Sequence, residues 1–150
     1  MEYSIEAFSD CIDEIKPLLE LHWEEIAVNK DKIKLNPNYD QYIALESTGN
    51  LQLVIARDEG KIVGYFISFI VPHMHYQDHL WAMNDILFLH PDYRGGKTAM
   101  SLFAYAEADL RNRGVSVIQL HMKTEFPFEP LAKACGYNLV EYGYSKYIGD

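Results

Sequence analysis

Residues 84–107 read NDILFLHPDYRGGKTAMSLFAYAE, and the order of features within this stretch decides the fold. An apolar run ends at a proline-containing turn, two glycines follow, and a pattern with helical spacing begins near Lys97. A strand that leads through glycines into the start of a helix presents free backbone N–H groups and a partial positive charge. Because glycine has no Cβ, a phosphate can approach such a backbone closely. We therefore expect residues 90–99 to form a phosphate-binding loop between a strand and a helix.

The sequence Gly-Gly-Lys-Thr also ends the nucleotide-binding P-loop motif G-x-x-x-x-G-K-[ST]. The first glycine of that motif would have to stand where this chain has Pro91. Half of the motif is therefore missing, which disfavours a nucleoside triphosphatase.

The apolar patterns around this stretch predict a mixed sheet. Residues 51–57 and 61–71 predict an antiparallel hairpin joined by a tight turn, and residues 79–90 predict a third strand. A helix over 97–113 precedes a β-branched strand at 115–122. The strands 79–90 and 115–122 are therefore expected to lie parallel in a βαβ unit.

Further elements are predicted before this sheet. A strand at 3–7 is followed by a helical pattern over 9–27, in which Pro17 is expected to bend or divide the helix. A second helix follows, with Asn38 or Asp40 as its cap.

The C-terminal third predicts a short helix over 128–137 and a terminal hairpin over 138–148 that turns about Gly143. We find no repeat or linker and expect one domain over residues 1–150. Its fold class is α/β (α+β mixed sheet), with a central, mostly antiparallel twisted sheet and helices on both faces.

Composition restricts the partners of this chain. Its 150 residues contain 13 Lys and Arg against 22 Asp and Glu, a formal net charge of −9. This balance disfavours nucleic acid and favours cationic partners such as amines, although acidic chains are also common for solubility alone.

No apolar stretch approaches the roughly 20 residues that span a bilayer, so we expect no membrane association. With two cysteines outside any disulfide or redox spacing and no apolar signal core, we expect a cytoplasmic protein.

Three histidines cluster in the segment PHMHYQDHL at positions 73, 75 and 79. Imidazoles at strand spacing can share a face and bind a metal ion. No cysteine or further histidine stands at a ligand-like spacing, so no metal site is predicted.

The loop region resembles motif A of the GNAT superfamily of acyl-CoA-dependent N-acetyltransferases. That motif is a strand, a proline-containing turn and [QR]-x-x-G-x-[GA] at the start of a long helix. Arg94 and Ala99 match it, Lys97 replaces the middle glycine, and Gly96 is expected to supply the close backbone approach instead. The run KACGY at 133–137 is similar to the family's C-terminal K-x-x-G-[FY], and the order of predicted elements fits the GNAT-type fold.

The resemblance implies acetyl-CoA (coenzyme A) as the cofactor. Its pyrophosphate is expected on Arg94, Gly95, Gly96, Lys97, Thr98 and Ala99. Its pantetheine arm is expected along Leu87, Phe88 and Leu89, where the parallel strands 79–90 and 115–122 splay apart.

The resemblance also implies acetyl transfer to a primary amine. Asp85 is the candidate general base, acting through water, because some family members have a glutamate at this spacing before the signature arginine. On an unbroken strand, Asp85 would share a face with Leu87 and Leu89.

A general acid is harder to assign. Many family members have a tyrosine where this chain has Ala132. Tyr142 and His121 are the remaining candidates for proton handling, although a tyrosine in a sheet and a histidine at a strand end are usually structural.

By analogy with the family, Trp23, His73, His75 and Asp78 are expected near the acceptor. The acceptor itself stays open between a small-molecule amine and a protein lysine or N-terminus, and a homodimer is an open alternative to a monomer. Two other hypotheses remain: a catalytically inactive GNAT-fold module that binds coenzyme A or a protein, and an antagonist that imitates an acidic ligand.

Overall fold

The computed structural model describes residues 1–150 and contains one five-stranded sheet with four α-helices. The elements are β1 (Glu2–Ile5), α1 (Phe8–Ile26), α2 (Tyr39–Ser47), β2 (Leu51–Asp58), β3 (Lys61–His73), β4 (Tyr76–Leu89), a 3₁₀ turn (Pro91–Tyr93), α3 (Thr98–Asn112), β5 (Val115–Gln119) and α4 (Glu129–Ala134). The strands lie in the order β1-β2-β3-β4-β5. All neighbouring pairs are antiparallel except β4 and β5, which are parallel. The predicted mixed sheet, with its single parallel pair, is confirmed.

Helices cover both faces of this sheet, as predicted. Helices α1 and α2 cover one face, where the buried residues are Phe8, Cys11, Ile15, Leu19, Leu51, Leu53, Ile55, Ile62, Tyr65, Ile67 and Phe88. Helices α3 and α4 cover the other face, where the buried residues are Val54, Ala56, Val63, Phe66, Leu102, Phe103 and Ala106. Successive strand residues alternate between these two clusters, because side chains along a strand point to opposite faces.

The predicted hairpin between β2 and β3 is confirmed, and its turn has two residues, Glu59 and Gly60. Both have positive φ angles, +48° and +81°. This backbone matches a type I′ turn, whose twist suits the flanking antiparallel strands.

Two expectations about the first helices have different outcomes. Helix α1 continues through Pro17, so the predicted division is wrong and the predicted bend stays a prediction. The buried residues Ile15 and Leu19 flank the proline, and their packing offsets the loss of one backbone N–H donor. Of the two predicted caps, Asn38 rather than Asp40 caps α2, since the Gln41 N–H donates to its side-chain oxygen over 3.1 Å.

The predicted terminal hairpin over 138–148 is wrong, because no strand is formed after β5. The segment approaches β5 through a side-chain hydrogen bond of 3.2 Å from Gln119 to Glu141. Its alternating apolar side chains lie exposed, among them Val140 and Tyr144. Alternation predicts a strand only where backbone pairing and a covering face accompany it, and residues 138–148 form no ladder with the edge of β5.

None of the helices is both long and apolar enough to cross a membrane.

Candidate active site

A β-bulge in β4 determines the direction of the Asp85 side chain. The pairing with β3 passes from Ile67 opposite Ile86 to Ser68 opposite Asn84, so Asp85 has no partner on β3. The Tyr42 hydroxyl of α2 donates a hydrogen bond to the Asp85 carboxylate. Asp85 therefore faces α2.

Leu87 packs instead against the cluster under α3. The expectation that Asp85 and Leu87 share a face is therefore wrong. The extra residue of the bulge breaks the two-residue alternation on which that expectation depended.

Two opposing effects act on the Asp85 carboxyl. Burial raises its pKa above the usual range, because a charge is costly away from water, and the hydrogen bond from Tyr42 opposes this shift. The ring of Tyr42 is stacked on Phe8 with a centroid distance of 4.8 Å, which fixes the donor. Tyr65 lies in the same core, with its buried hydroxyl lacking a hydrogen-bond partner. Asp85 is thus a half-buried carboxylate with a held orientation.

The parallel strands β4 and β5 separate beside this bulge. Their regular pairing ends with Met83 opposite Gln119. Beyond that point the Asn84 side chain bonds to the backbone of His121 in both directions, over 2.6 and 2.9 Å. Sequence reasoning missed Asn84, although an amide inside the apolar run 79–90 was a detectable signal.

The separated edge of β4 exposes the backbone groups of Leu87 and the N–H of Leu89, whose carbonyl accepts from Arg94. The His90 N–H donates to the Val63 carbonyl over 2.8 Å. Hydrogen bonding alternates along an antiparallel pair, so the backbone N–H and C=O of Phe88 also point toward β3. The backbone groups of Leu87 and Leu89 point the other way, into the gap between the separated ends of β4 and β5, which we call the opening. The side chain of Phe88 is buried in the core with 1% exposure. The opening is therefore lined by the backbone of Leu87 and Leu89 and not by Phe88.

The glycine loop after β4 presents a run of unpaired donors. The backbone N–H groups of residues 95–100 have no hydrogen-bond acceptor within the chain. Gly95 has a φ of +82°, a conformation that favours glycine. Gly96 has no such φ, and a Cβ there would meet no protein atom within 4 Å. Lys97, Thr98 and Ala99 form the start of α3, where the helix dipole adds partial positive charge.

The side chain of Arg94 braces this loop from outside. Its guanidinium pairs with both carboxylate oxygens of Glu25 on α1, each over 3.0 Å. Its Nε donates to the carbonyl of Leu89 over 2.8 Å. The guanidinium therefore ties the end of α1 to the end of β4, and Lys97 is the loop cation without an ion pair.

An aromatic cluster lies at the β3–β4 turn, at the other end of β4. The His73 and His75 rings are 5.5 Å apart, and His73 is 4.5 Å from Trp81. Tyr76 is stacked on Trp81 with an interplanar angle of 15°. A cavity of about 310 Å³ beside them is lined by Tyr76, His79, Trp81, Ser116 and Val117. Trp81 and Asp85 lie on the same face of β4, about 13 Å apart by the rise of a strand.

The remaining predicted site residues are not gathered in one place. Trp23 lies in the last turns of α1, with the Lys30 ammonium 5.6 Å from its ring centre, and Asp78 is exposed near the start of β4. His121 is exposed where β4 and β5 separate, whereas Tyr142 lies on the C-terminal segment with 76% exposure. No three His, Cys, Asp or Glu side chains lie close enough together to hold a metal ion.

The comparisons with known proteins point to one family. The model of the acetyltransferase (GNAT) family matches residues 15–137. No curated protein matches the chain significantly.

Several solved structures share the fold. An aminoglycoside acetyltransferase from an uncultured soil metagenomic sample, in complex with sisomicin, has a TM-score of 0.77 at 15% identity, covering 99% of this chain and 95% of that one. A ribosomal-protein-alanine N-acetyltransferase from Brucella melitensis has a TM-score of 0.66 at 19% identity, covering 100% and 99%. A predicted acetyltransferase with acetyl-CoA from Clostridium acetobutylicum has a TM-score of 0.74 at 15% identity, covering 97% and 95%.

At these identities the structural likeness shows the fold alone, and the GNAT-type fold is confirmed. The family match adds to it, because the matched residues make up more than half of the sequence. The chain therefore belongs to the acetyltransferase (GNAT) family.

Proposed function

We propose that this protein transfers the acetyl group of acetyl-CoA directly to a primary amine. The observation that carries the proposal is the run of unpaired N–H donors at residues 95–100, beside the opening between β4 and β5. Bound acetyl-CoA would supply an acetyl thioester. The donors, the open space at Gly96 and the unpaired charge of Lys97 fit its pyrophosphate.

The edge of β4 fits the pantetheine arm. Leu87 directs its N–H and carbonyl into the opening, and Leu89 directs its N–H there, since the Leu89 carbonyl is taken by Arg94; these groups can pair with an extended ligand as they would with a strand. Arg94 holds the loop against α1 and β4, so the donors keep a common direction.

Asp85 is proposed as the general base. An alkyl amine has a pKa near 10.4 and must lose a proton before it attacks. The Asp85 carboxylate accepts that proton through a water molecule, since aspartate is one methylene shorter than the glutamate of related enzymes. Its raised pKa brings the carboxyl closer to the working pH, which favours proton transfer.

His121 is the better placed of the two candidates for a general acid. It lies at the mouth of the opening, whereas Tyr142 is exposed on the C-terminal segment.

The acceptor body fits along β4 between Asp85 and the aromatic cluster around Trp81. Two structural neighbours are described as acting on an aminoglycoside and on a ribosomal-protein alanine, so a small-molecule amine and a protein lysine or N-terminus both remain acceptor classes.

The experiment is titration calorimetry with acetyl-CoA, followed by thiol release with a panel of primary amines. We expect saturable binding and amine-dependent release of coenzyme A, with Asp85→Asn slowing release at least a hundredfold while acetyl-CoA affinity stays within about twofold. Absence of acetyl-CoA binding at millimolar concentration would refute the proposal.

A second candidate is a catalytically inactive module that binds coenzyme A. The observation that favours it is Ala132, which is buried in α4 with 6% exposure and brings no hydroxyl to the position of the family's tyrosine. This candidate predicts acetyl-CoA binding with no thiol release for any amine, so the same experiment separates the two.

A further inference from the structure

The transition from paired to separated strands occurs within one residue. Met83 is the last β4 residue paired with β5, and Asn84 follows it directly. The Asn84 Oδ1 accepts a hydrogen bond from the His121 N–H over 2.6 Å, and its Nδ2 donates to the His121 carbonyl over 2.9 Å. A side-chain amide carries the same donor and acceptor as a peptide group. Asn84 therefore pairs with the chain just after β5 as a strand would, but from the end of a side chain.

We propose that Asn84 is a positioning residue for acetyl-CoA binding. Its amide replaces the next rung of the parallel pairing and holds the chain after β5 at a fixed distance from β4. The backbone groups of Leu87 and the N–H of Leu89 consequently stay open to the pantetheine arm. This inference rests on the proposed function, because it concerns the same opening.

We call the two hydrogen bonds between Asn84 and His121 the bridge. The other arrangements that the chain after β5 could adopt show why it is needed. A strand edge with free N–H and C=O groups readily pairs with a neighbouring chain. Without the bridge, the chain after β5 can close onto β4, where the continued register sets residues 123 and 125 opposite Leu87 and Leu89, or it can move away and widen the opening. Either change removes the spacing that an inserted ligand requires. A bridge that bonds in both directions prevents both changes.

The position of Asn84 next to the bulge adds a second consequence. Asp85 follows it immediately and is held by Tyr42 on the α2 face. The two neighbouring side chains thus attach β4 to α2 on one side and to the chain after β5 on the other. The opening and the proposed base are therefore positioned by one dipeptide.

Two substitutions separate the two hydrogen bonds. Asn84→Ala removes both, whereas Asn84→Asp keeps an acceptor for the His121 N–H and loses the donor to the His121 carbonyl. Asn50→Ala is the matched control, because Asn50 also donates from Nδ2 to a backbone carbonyl, that of Ile70, over 2.8 Å. Asn50 precedes β2 and lies outside the proposed opening.

Hydrogen exchange of the His121 amide tests the bridge without any ligand. We expect exchange in Asn84→Ala to accelerate at least tenfold, and exchange in Asn84→Asp and Asn50→Ala to stay within about threefold of the unmodified protein. Unchanged exchange in Asn84→Ala would overturn the bridge.

Calorimetric titration with acetyl-CoA tests the positioning role. We expect the Kd to rise about five- to thirtyfold in both Asn84 variants, the factor of one or two lost hydrogen bonds, and to stay within about twofold in Asn50→Ala. If the unmodified protein binds and the Asn84 variants bind equally well, the inference is wrong and the proposed function stands. If the unmodified protein does not bind acetyl-CoA, the proposed function is refuted and the positioning role with it.

Discussion

Gly95 and Gly96 stand side by side in the loop for different physical reasons. Gly95 has a φ of +82°, so a side chain there strains the backbone of the free protein. Gly96 has an ordinary φ and open space around its missing Cβ, so an added methyl group meets no protein atom. The first glycine serves the fold, and the second leaves room above the backbone.

Substitution of these glycines should therefore separate stability from binding. We expect Gly95→Ala to lower the free energy of unfolding by about 1 kcal/mol. Gly96→Ala should leave it within about 0.5 kcal/mol and weaken acetyl-CoA binding at least tenfold, because the methyl group occupies the approach of the phosphate. Urea unfolding and calorimetry measure the two effects. Full affinity in Gly96→Ala would contradict a phosphate on this loop.

The hydrogen bond between Tyr42 and Asp85 allows the pH dependence of activity to be predicted. The Tyr42 hydrogen bond stabilises the ionised carboxylate and lowers the pKa that burial has raised. Tyr42→Phe removes this effect, so the pKa of Asp85 rises further and a higher pH is needed to form the base. We expect the acid limb of kcat to move up by about one pH unit. The measurement is the pH profile of thiol release, and an unmoved limb would exclude Asp85 as the base.

Asp85 also links activity to stability. Since burial raises its folded pKa, the carboxylate destabilises the fold once the pH exceeds that pKa. Asp85→Asn removes the charge and retains an acceptor for Tyr42. We expect the free energy of unfolding to rise by about 1 kcal/mol at neutral pH while turnover is lost. Urea unfolding at pH 7 measures this change, and a marked loss of stability would contradict it.

At the scale of elements, an ion-pair cluster joins β2 to α1 and to the end of β1. Arg57 pairs with Glu6 over 2.8 Å and with Glu14 over 3.0 Å. The hydrogen bonds from Arg57 are the main reason that the pKa of Glu6 falls from 4.5 to about 2. The side chains of Arg57 and Glu6 are both largely buried, so the interaction is only partly screened by solvent.

This cluster predicts a specific acid sensitivity. A carboxyl with a depressed folded pKa contributes stability above its unfolded pKa and loses it as the pH falls. We expect a contribution on the order of 3 kcal/mol that disappears between about pH 4.5 and pH 2. Urea unfolding across this range should show a weaker pH dependence in Glu6→Gln than in the unmodified protein. An equal dependence of the unfolding free energy on pH in the two proteins would show that Arg57 does not lower the pKa of Glu6.

At the scale of the whole molecule, the net charge of −9 produces a field that favours the approach of cationic molecules. Salt screens this field, with a Debye length near 10 Å at 0.1 M. We expect the KM of a cationic amine to rise several-fold between about 0.05 and 0.5 M salt, with kcat nearly unchanged. Steady-state kinetics at increasing salt, with a monoamine that carries no other charge and with a diamine, measure this change in KM. A KM that does not change with salt concentration would show that the electrostatic field of the protein does not guide the acceptor.

Local patterns were sufficient for most of the fold. The turn at Glu59 and Gly60, the cap at Asn38 and the glycine loop follow from residues that are close in sequence. Hydrophobic periodicity then gave the strands and the helices that cover both faces. The family's loop motif, at residues 94–99, indicates acetyl-CoA from the sequence alone.

Tertiary contacts decided the rest. The direction of Asp85 depends on a bulge relative to β3 and on a hydroxyl from Tyr42, 43 residues earlier in the chain. The opening depends on Asn84 meeting His121, 37 residues later. The segment 138–148 has the alternation of a hairpin, yet it forms no strand because alternation does not supply a backbone partner. The sequence by itself thus determined the elements and the glycine loop, since these arise from local backbone preferences and periodicity. Only the tertiary structure decided which side chains face the opening, because that depends on the register between distant strands.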